Sequence, residues 1–230
     1  AGFAAIDTAD VYSRWGPGND SESEKIIGRW VKARGNRDKV HIFTKVGGDM
    51  GQGHTDLSAG WIEQEVEASL KRLQTDYIDL YQSHWPDHRI KQEETLGAYD
   101  RLIRAGKVRF IGCSNYDEAL LTEALRLSAN GLPRYQTLQN EYNLYTRNKF
   151  EGPVQDIVVK EGLSLICYYS LASGFLTGKY RSKADLGQSP RGGGVGKYLD
   201  DKGMRVLAAL DTVAASTGAA PAEIALAWIN

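Results

Sequence analysis

The sequence predicts an α/β protein of the (β/α)8-barrel class, and three observations carry that prediction. Strand-like and helix-like segments alternate along the whole chain, the order that builds a parallel sheet with crossover helices. The strands are short and mostly apolar, as strands covered on both faces are. Polar side chains capable of chemistry (Asp7, Lys45, His84, Ser114, Asn115, Gln139 and Ser170) fall at the C-terminal ends of successive strands. A barrel collects its chemistry there from several loops, whereas an open doubly wound sheet concentrates it at one switch point.

Each element has a local reason. "FAAIDTA" (3–9) reads as a strand, and "SESEKIIGRWVKAR" (21–34) as a helix opened by a capping box of Ser21 and Glu24. "KVHIFTKVG" (39–47) is the second strand; "GWIEQEVEASLKRL" (60–73) follows as a helix with Ile62, Val66, Leu70 and Leu73 on one face. Strand "YIDLYQSHW" (77–85) precedes helix "EETLGAYDRLIRAG" (93–106), and strand "VRFIGCSN" (108–115) precedes helix "EALLTEALRLSA" (118–129). Then come strand "YQTLQNEYN" (135–143), a short helix over 153–161 and strand "LSLICYYS" (163–170). Helices over 204–217 and 221–229 end the pattern, the second with Pro221 in its first turn. The Gly-rich "GQSPRGGGVGKYLDD" (187–201) shows no apolar period and reads as a lid or mobile flap. Six strands do not close an eight-stranded barrel. One domain over residues 1–230 is therefore expected, lacking the first and last strand–helix units of the full barrel.

With 230 residues the chain can bury a real core. A net charge of -1 offers nothing to draw nucleic acid or an anionic membrane. No apolar run approaches the roughly 20 residues that span a bilayer, and the residues after Ala1 are strand-like rather than a signal peptide. These readings predict a cytoplasmic protein without membrane insertion, and a homo-oligomer is compatible with them. Cys113 and Cys167 are too few for a disulfide framework or a zinc cluster and read as reduced thiols.

Four residues carry the chemical argument. A lysine at an apolar strand end, Lys45, is costly to bury unless an anion lies close, and Asp7 on the neighbouring strand is such an anion. An ammonium beside a phenol favours the phenolate, which makes Tyr12 a usable proton donor near neutral pH. His84 can then orient a bound carbonyl by a hydrogen bond. Taken singly, each residue has a plainer reading: a turn cap, a packed aromatic, a snorkelling lysine, a structural histidine. Their value lies in sharing one rim. No metal is expected, because Pro86 between His84 and His88 breaks the helix their spacing would need.

Neither nucleotide fingerprint is present. In "GGGVGKY" (192–198), Arg191 stands where a Walker motif needs Gly and Tyr198 where it needs Ser or Thr; Lys197 spoils G-x-G-x-x-G. Yet "CSN" (113–115) and "LQN" (138–140) offer hydroxyl and amide groups suited to a carboxamide, and "YYSLASGFLTGKY" (168–180) supplies a flat aromatic followed by small residues.

"IDTADVYSRWGPGNDSESEKIIG", "TKVGG", "YQSHWPD", "GKVRFIGCSNY", "LQNEYNL" and "YYSLASGFLTGKY" together resemble the successive signatures of the aldo-keto reductases. The likeness is greatest to the microbial and potassium-channel β-subunit-like branch. That resemblance implies a (β/α)8 barrel that binds NADPH without a Rossmann motif, with a catalytic tetrad of Asp7, Tyr12, Lys45 and His84. In such a tetrad the tyrosine protonates a carbonyl oxygen, the aspartate-held lysine makes it a better acid, and the histidine orients the substrate. Ser114, Asn115 and Gln139 match residues that hold the carboxamide, and Tyr169 the aromatic stacked on the nicotinamide. Ser170, Leu171, Gly174 and Lys179 fall in the stretch lining the pyrophosphate. Preference for NADP over NAD is implied by the resemblance alone. Trp15 and Trp85 are assigned to the substrate wall on position only. The expected function is reduction of aldehydes or ketones. The alternatives are a slow, redox-sensing regulatory subunit of the channel β type and a lyase or aldolase with a Schiff base on Lys45.

Overall fold

The computed structural model describes residues 4–230; Ala1, Gly2 and Phe3, the last being the expected start of the first strand, lie outside the described residues. Six strands, β1 (Ala5–Asp7), β2 (His41–Val46), β3 (Ile78–Ser83), β4 (Val108–Ser114), β5 (Thr137–Glu141) and β6 (Ser164–Tyr168), stand in the sheet in chain order. Between and after them run α1 (Glu22–Arg34), α2 (Ala59–Leu73), α3 (Gln92–Arg104), α4 (Glu118–Ala129), α5 (Pro153–Glu161), α6 (Asp201–Thr217) and α7 (Pro221–Ile229). The pairs β1–β2, β2–β3 and β3–β4 are parallel, as strands joined by helical crossovers must be.

Two compact units divide the chain: residues 1–138 with 157–164, and residues 139–156 with 165–230. In the first, the apolar face predicted for α2 is buried at Ile62, Val66, Leu70 and Leu73. Ile42, Val46, Ile78, Tyr81, Leu96 and Tyr99 bury fully with it. The side chain of Ser58 caps α2 by accepting from the N–H of Trp61, and Asp117 caps α4 by accepting from that of Leu120.

The expected capping box at α1 is absent. Ser21 has left-handed backbone angles and makes no side-chain cap, and its buried Oγ has no hydrogen-bond partner among the described residues. Glu24 turns inward instead: it accepts from the Thr44 hydroxyl at 2.5 Å and from Arg72 at 2.6 Å. A buried carboxylate offered a guanidinium and a hydroxyl gains more there than at a solvated helix start.

The second unit corrects the reading of the Gly-rich segment. Residues 183–188 and 192–198 form short 3-10 turns rather than a bare flap. Val195 and Tyr198 are buried with Phe175, Leu176, Tyr180, Leu207 and Leu210, and the rings of Phe175 and Tyr198 stack with centroids 5.5 Å apart. Gly192 is there because a Cβ would collide with the Leu186 carbonyl. Gly192 marks a close backbone approach, not an apolar period, and so gave no sign of this core. Helix α6 begins at Asp201, ahead of the expected 204, because Asp200 caps it by accepting from the N–H of Gly203 at 2.7 Å.

Candidate active site

Strand register brings the predicted residues together in the first unit. Asp7 pairs with Phe43, so Lys45, two positions further along β2, lies on the same side of the sheet. Lys45 in turn pairs with Gln82 of β3. The Lys45 side chain is fully buried, and its Nζ donates to Asp7 Oδ2 at 2.7 Å, the Thr8 carbonyl at 2.7 Å and the Tyr12 hydroxyl at 3.4 Å. Burial pulls the amine below its ordinary value, and the Asp7 carboxylate only partly offsets that. Tyr12 stands on the connection between β1 and α1, with the Lys45 ammonium 4.9 Å from its ring centroid.

His84 follows β3 directly, its main-chain N–H fixed on the Val46 carbonyl at 2.8 Å. Its ring lies edge-on to Tyr12 with centroids 5.7 Å apart. Burial, reinforced by the Lys45 charge, lowers the His84 pKa to about 3, so the imidazole is neutral at physiological pH. Its Nδ1 is buried without a hydrogen-bond partner among the described residues. Two exposed indoles flank the pair: Trp15 lies 6.1 Å from Tyr12, and Trp85 stacks on His84 at 6.0 Å.

Ser114 ends β4, and Asn115 follows in a left-handed conformation at φ 63°. The Asn115 amide donates to the His84 carbonyl at 3.0 Å and to Ser114 Oγ at 3.1 Å, so these two residues also brace the backbone of the histidine. In the second unit, Gln139 is buried within β5 rather than at its end. Tyr169 is 56% exposed at φ 52°, its carbonyl accepting from Asn143 at 3.0 Å. Ser170 and Leu171 follow it, and Gly174, at φ 96°, lies in the 3-10 turn over 172–177. The Lys179 amine lies 5.1 Å from the centre of the Tyr180 ring.

The Aldo/keto reductase family profile matches residues 1–230, the entire chain. The chain belongs to the aldo/keto reductase family. Among its relatives is "Protein tas" of Escherichia coli, 33% identical over 260 residues that cover all of this chain and 74% of that protein. "Aldo-keto reductase yakc [NADP(+)]" of Schizosaccharomyces pombe is 29% identical over 97% of this chain and 65% of its own length. "Probable voltage-gated potassium channel subunit beta" of rice is 32% identical over 99% of this chain and 70% of its own length. Family membership makes the chain an oxidoreductase of the aldo/keto reductase type.

Other residues of the candidate site escaped the sequence reading. Gln82 donates to Asp7 Oδ1 at 3.4 Å; its position two before His84 in "YQSH" was the available signal. The Thr8 carbonyl is a backbone acceptor and leaves no mark in a sequence. Asp10 is fully buried beside the site, accepting the Val11 N–H at 2.6 Å. Burial and the neighbouring Glu65 and Glu24 push its carboxyl well above the usual carboxylate range. Among the described residues, no group of three or more His, Cys, Asp and Glu could hold a metal, and no helix is long and apolar enough to cross a membrane.

Proposed function

We propose that this protein reduces aldehydes or ketones to alcohols with NADPH, Tyr12 acting as general acid. One observation carries the reading: a buried ammonium is shared between a carboxylate and a phenol, Lys45 lying 2.7 Å from Asp7 and 3.4 Å from Tyr12. An ammonium beside a phenol stabilises the phenolate, so the phenol releases its proton more readily. Tyr12 gives that proton to the carbonyl oxygen, and Lys45 holds the developing phenolate. Asp7 keeps Lys45 charged against the cost of burial. His84, neutral throughout the working range, donates a hydrogen bond and so aligns the carbonyl without competing as an acid. Trp15 and Trp85 form apolar walls for the substrate.

The donor chemistry fits a nicotinamide dinucleotide. Ser114, Asn115 and Gln139 offer the hydroxyl and amide groups a carboxamide needs. Tyr169 presents an exposed aromatic face for stacking. Ser170, Leu171, Gly174 and Lys179 are assigned to the pyrophosphate. The cofactor supplies the hydride when bound. NADPH rather than NADH is favoured by the NADP(+) in the name of the fission-yeast relative. Residues 1–230 are assigned to a single (β/α)8-barrel domain, and a cytoplasmic location fits its free thiols, Cys113 and Cys167.

The test is NADPH oxidation followed at the nicotinamide absorbance with a panel of aldehydes. Replacing Tyr12 by Phe should cut turnover by about 10²- to 10⁴-fold while leaving cofactor affinity unchanged; an undiminished rate refutes the assignment. The likeness to the rice channel subunit favours a second reading, a redox-reporting subunit with slow turnover. Stoichiometric co-purification with a membrane channel would favour that reading.

A further inference from the structure

Tyr12 is the member of the tetrad that stands on neither a strand nor a strand end, so something else must fix its hydroxyl. Its connection turns tightly: the N–H of Tyr12 donates to the Ala9 carbonyl at 3.2 Å, and that of Arg14 to the Val11 carbonyl at 3.1 Å. Ser13, between them, has φ 75°. A side-chain-bearing residue rarely adopts the left-handed region, and persists there where its surroundings over-determine it.

The surroundings here are the next connection, the one leaving β2 and Lys45. The N–H of Asp10 donates to the Lys45 carbonyl at 3.2 Å. Gly48 lies against Val11 so closely that a Cβ would sit 3.2 Å from the Val11 side chain. Arg14 then ties the two connections together. One of its terminal nitrogens pairs with the Asp20 carboxylate, further along its own connection. The other donates to the Met50 carbonyl at 2.9 Å. A planar guanidinium serves both acceptors at once, which a single ammonium does less well.

We propose that Arg14 is a positioning residue for Tyr12: by bridging Asp20 and the Met50 carbonyl, it holds the phenol within reach of Lys45. The inference rests on the reading of Tyr12 as proton donor. The guarded contact is 3.4 Å long, near the outer limit of a hydrogen bond, so a small displacement removes it. A misplacement of about 1 Å can cost roughly 10²-fold in rate.

The test compares Arg14→Ala, Arg14→Lys, Asp20→Asn and Tyr12→Phe. Four quantities are measured: kcat with an aldehyde, NADPH affinity by fluorescence, melting temperature, and the titration of the Tyr12 phenol. The titration is followed by NMR with ring-labelled tyrosine and assigned from the Tyr12→Phe spectrum. Arg14→Ala should lower kcat at least about 10-fold, leave NADPH affinity within about twofold, and move the Tyr12 titration to higher pH as the ammonium loses its hold. Arg14→Lys should recover part of both effects. A purely structural role would lower the melting temperature without moving the titration. If Arg14→Ala keeps the parental kcat and Tyr12 titration while Tyr12→Phe is inactive, the proposal is overturned and the proton-donor reading stands. If Tyr12→Phe retains parental turnover, the reading itself fails, and the proposal with it. Should Arg14→Ala not fold, an unmoved Tyr12 titration in Arg14→Lys and Asp20→Asn overturns the proposal.

Discussion

Strands β2 and β3 carry buried charge at both ends, and the two ends treat it in opposite ways. Near their N-terminal ends Asp79 is saturated: it accepts from Arg37 at 2.7 Å, Arg109 at 2.9 Å and the Ile42 N–H at 2.9 Å. Both guanidinium groups also lie over the Tyr77 ring, at 3.8 and 3.9 Å from its centroid. Burial alone would raise the Asp79 pKa, but the Ile42 N–H and the Arg37 charge hold its carboxyl below the usual carboxylate range. At the C-terminal ends, Lys45 is buried with a lowered pKa, His84 is forced neutral, and two indoles stand exposed. A saturated knot has no hydrogen-bonding capacity left to change and contributes stability. A cluster whose buried amine and imidazole are held below their ordinary pKa values gives up stability for groups that can still bind or release a proton.

Substitutions can break or sharpen that contrast. The largest effect on turnover, beside that of Tyr12→Phe, is expected from Lys45→Met. It removes the charge that favours the phenolate, and should lower kcat about 10²-fold or more, while the melting temperature falls only modestly: loss of a costly buried charge is offset by the Asp7 carboxylate and Thr8 carbonyl left without their donor. A large fall in melting temperature with normal kcat would invert the assignment of the two ends. Asp79→Ala should do the reverse. Leaving the buried Ile42 N–H without its acceptor, and two guanidinium groups without their shared carboxylate, costs on the order of 2 kcal/mol of unfolding free energy, read by denaturant titration, with kcat within about twofold of the parent.

The smallest effect concerns acid stability. The His84 pKa is about 3 in the folded protein against an ordinary 6.5. Between those values the unfolded chain binds a proton that the folded chain does not, so this residue costs stability as pH falls from 6.5 towards 3. Replacing His84 by Gln should flatten the fall in melting temperature between pH 7 and pH 4.5; an unchanged slope would contradict a buried neutral imidazole.

Much of this was legible beforehand. The alternation of segments announced a parallel sheet, and strand-end positions announced Asp7, Lys45 and His84, because the two-residue period of a strand is written in the order of side chains. Glu24 misled the reading: as a residue following Ser21 it looked like a capping partner. Its real partner, Arg72, is remote in sequence, and only α1–α2 packing brings the two together. The Gly-rich stretch misled for a related reason, since its Val195 and Tyr198 bury against Phe175 and Leu207 from outside it, and no local period shows that.

Chain order and residue type thus determined which strands would lie side by side and which chemical groups their ends would offer. Distances and charge states were decided only by the tertiary structure: the ammonium of Lys45 between Asp7 and Tyr12, the imidazole of His84 kept neutral, the loop of Tyr12 strapped by Arg14. Hydrogen-bond reach and desolvation are properties of groups brought together from distant parts of the chain, and no window of sequence contains them.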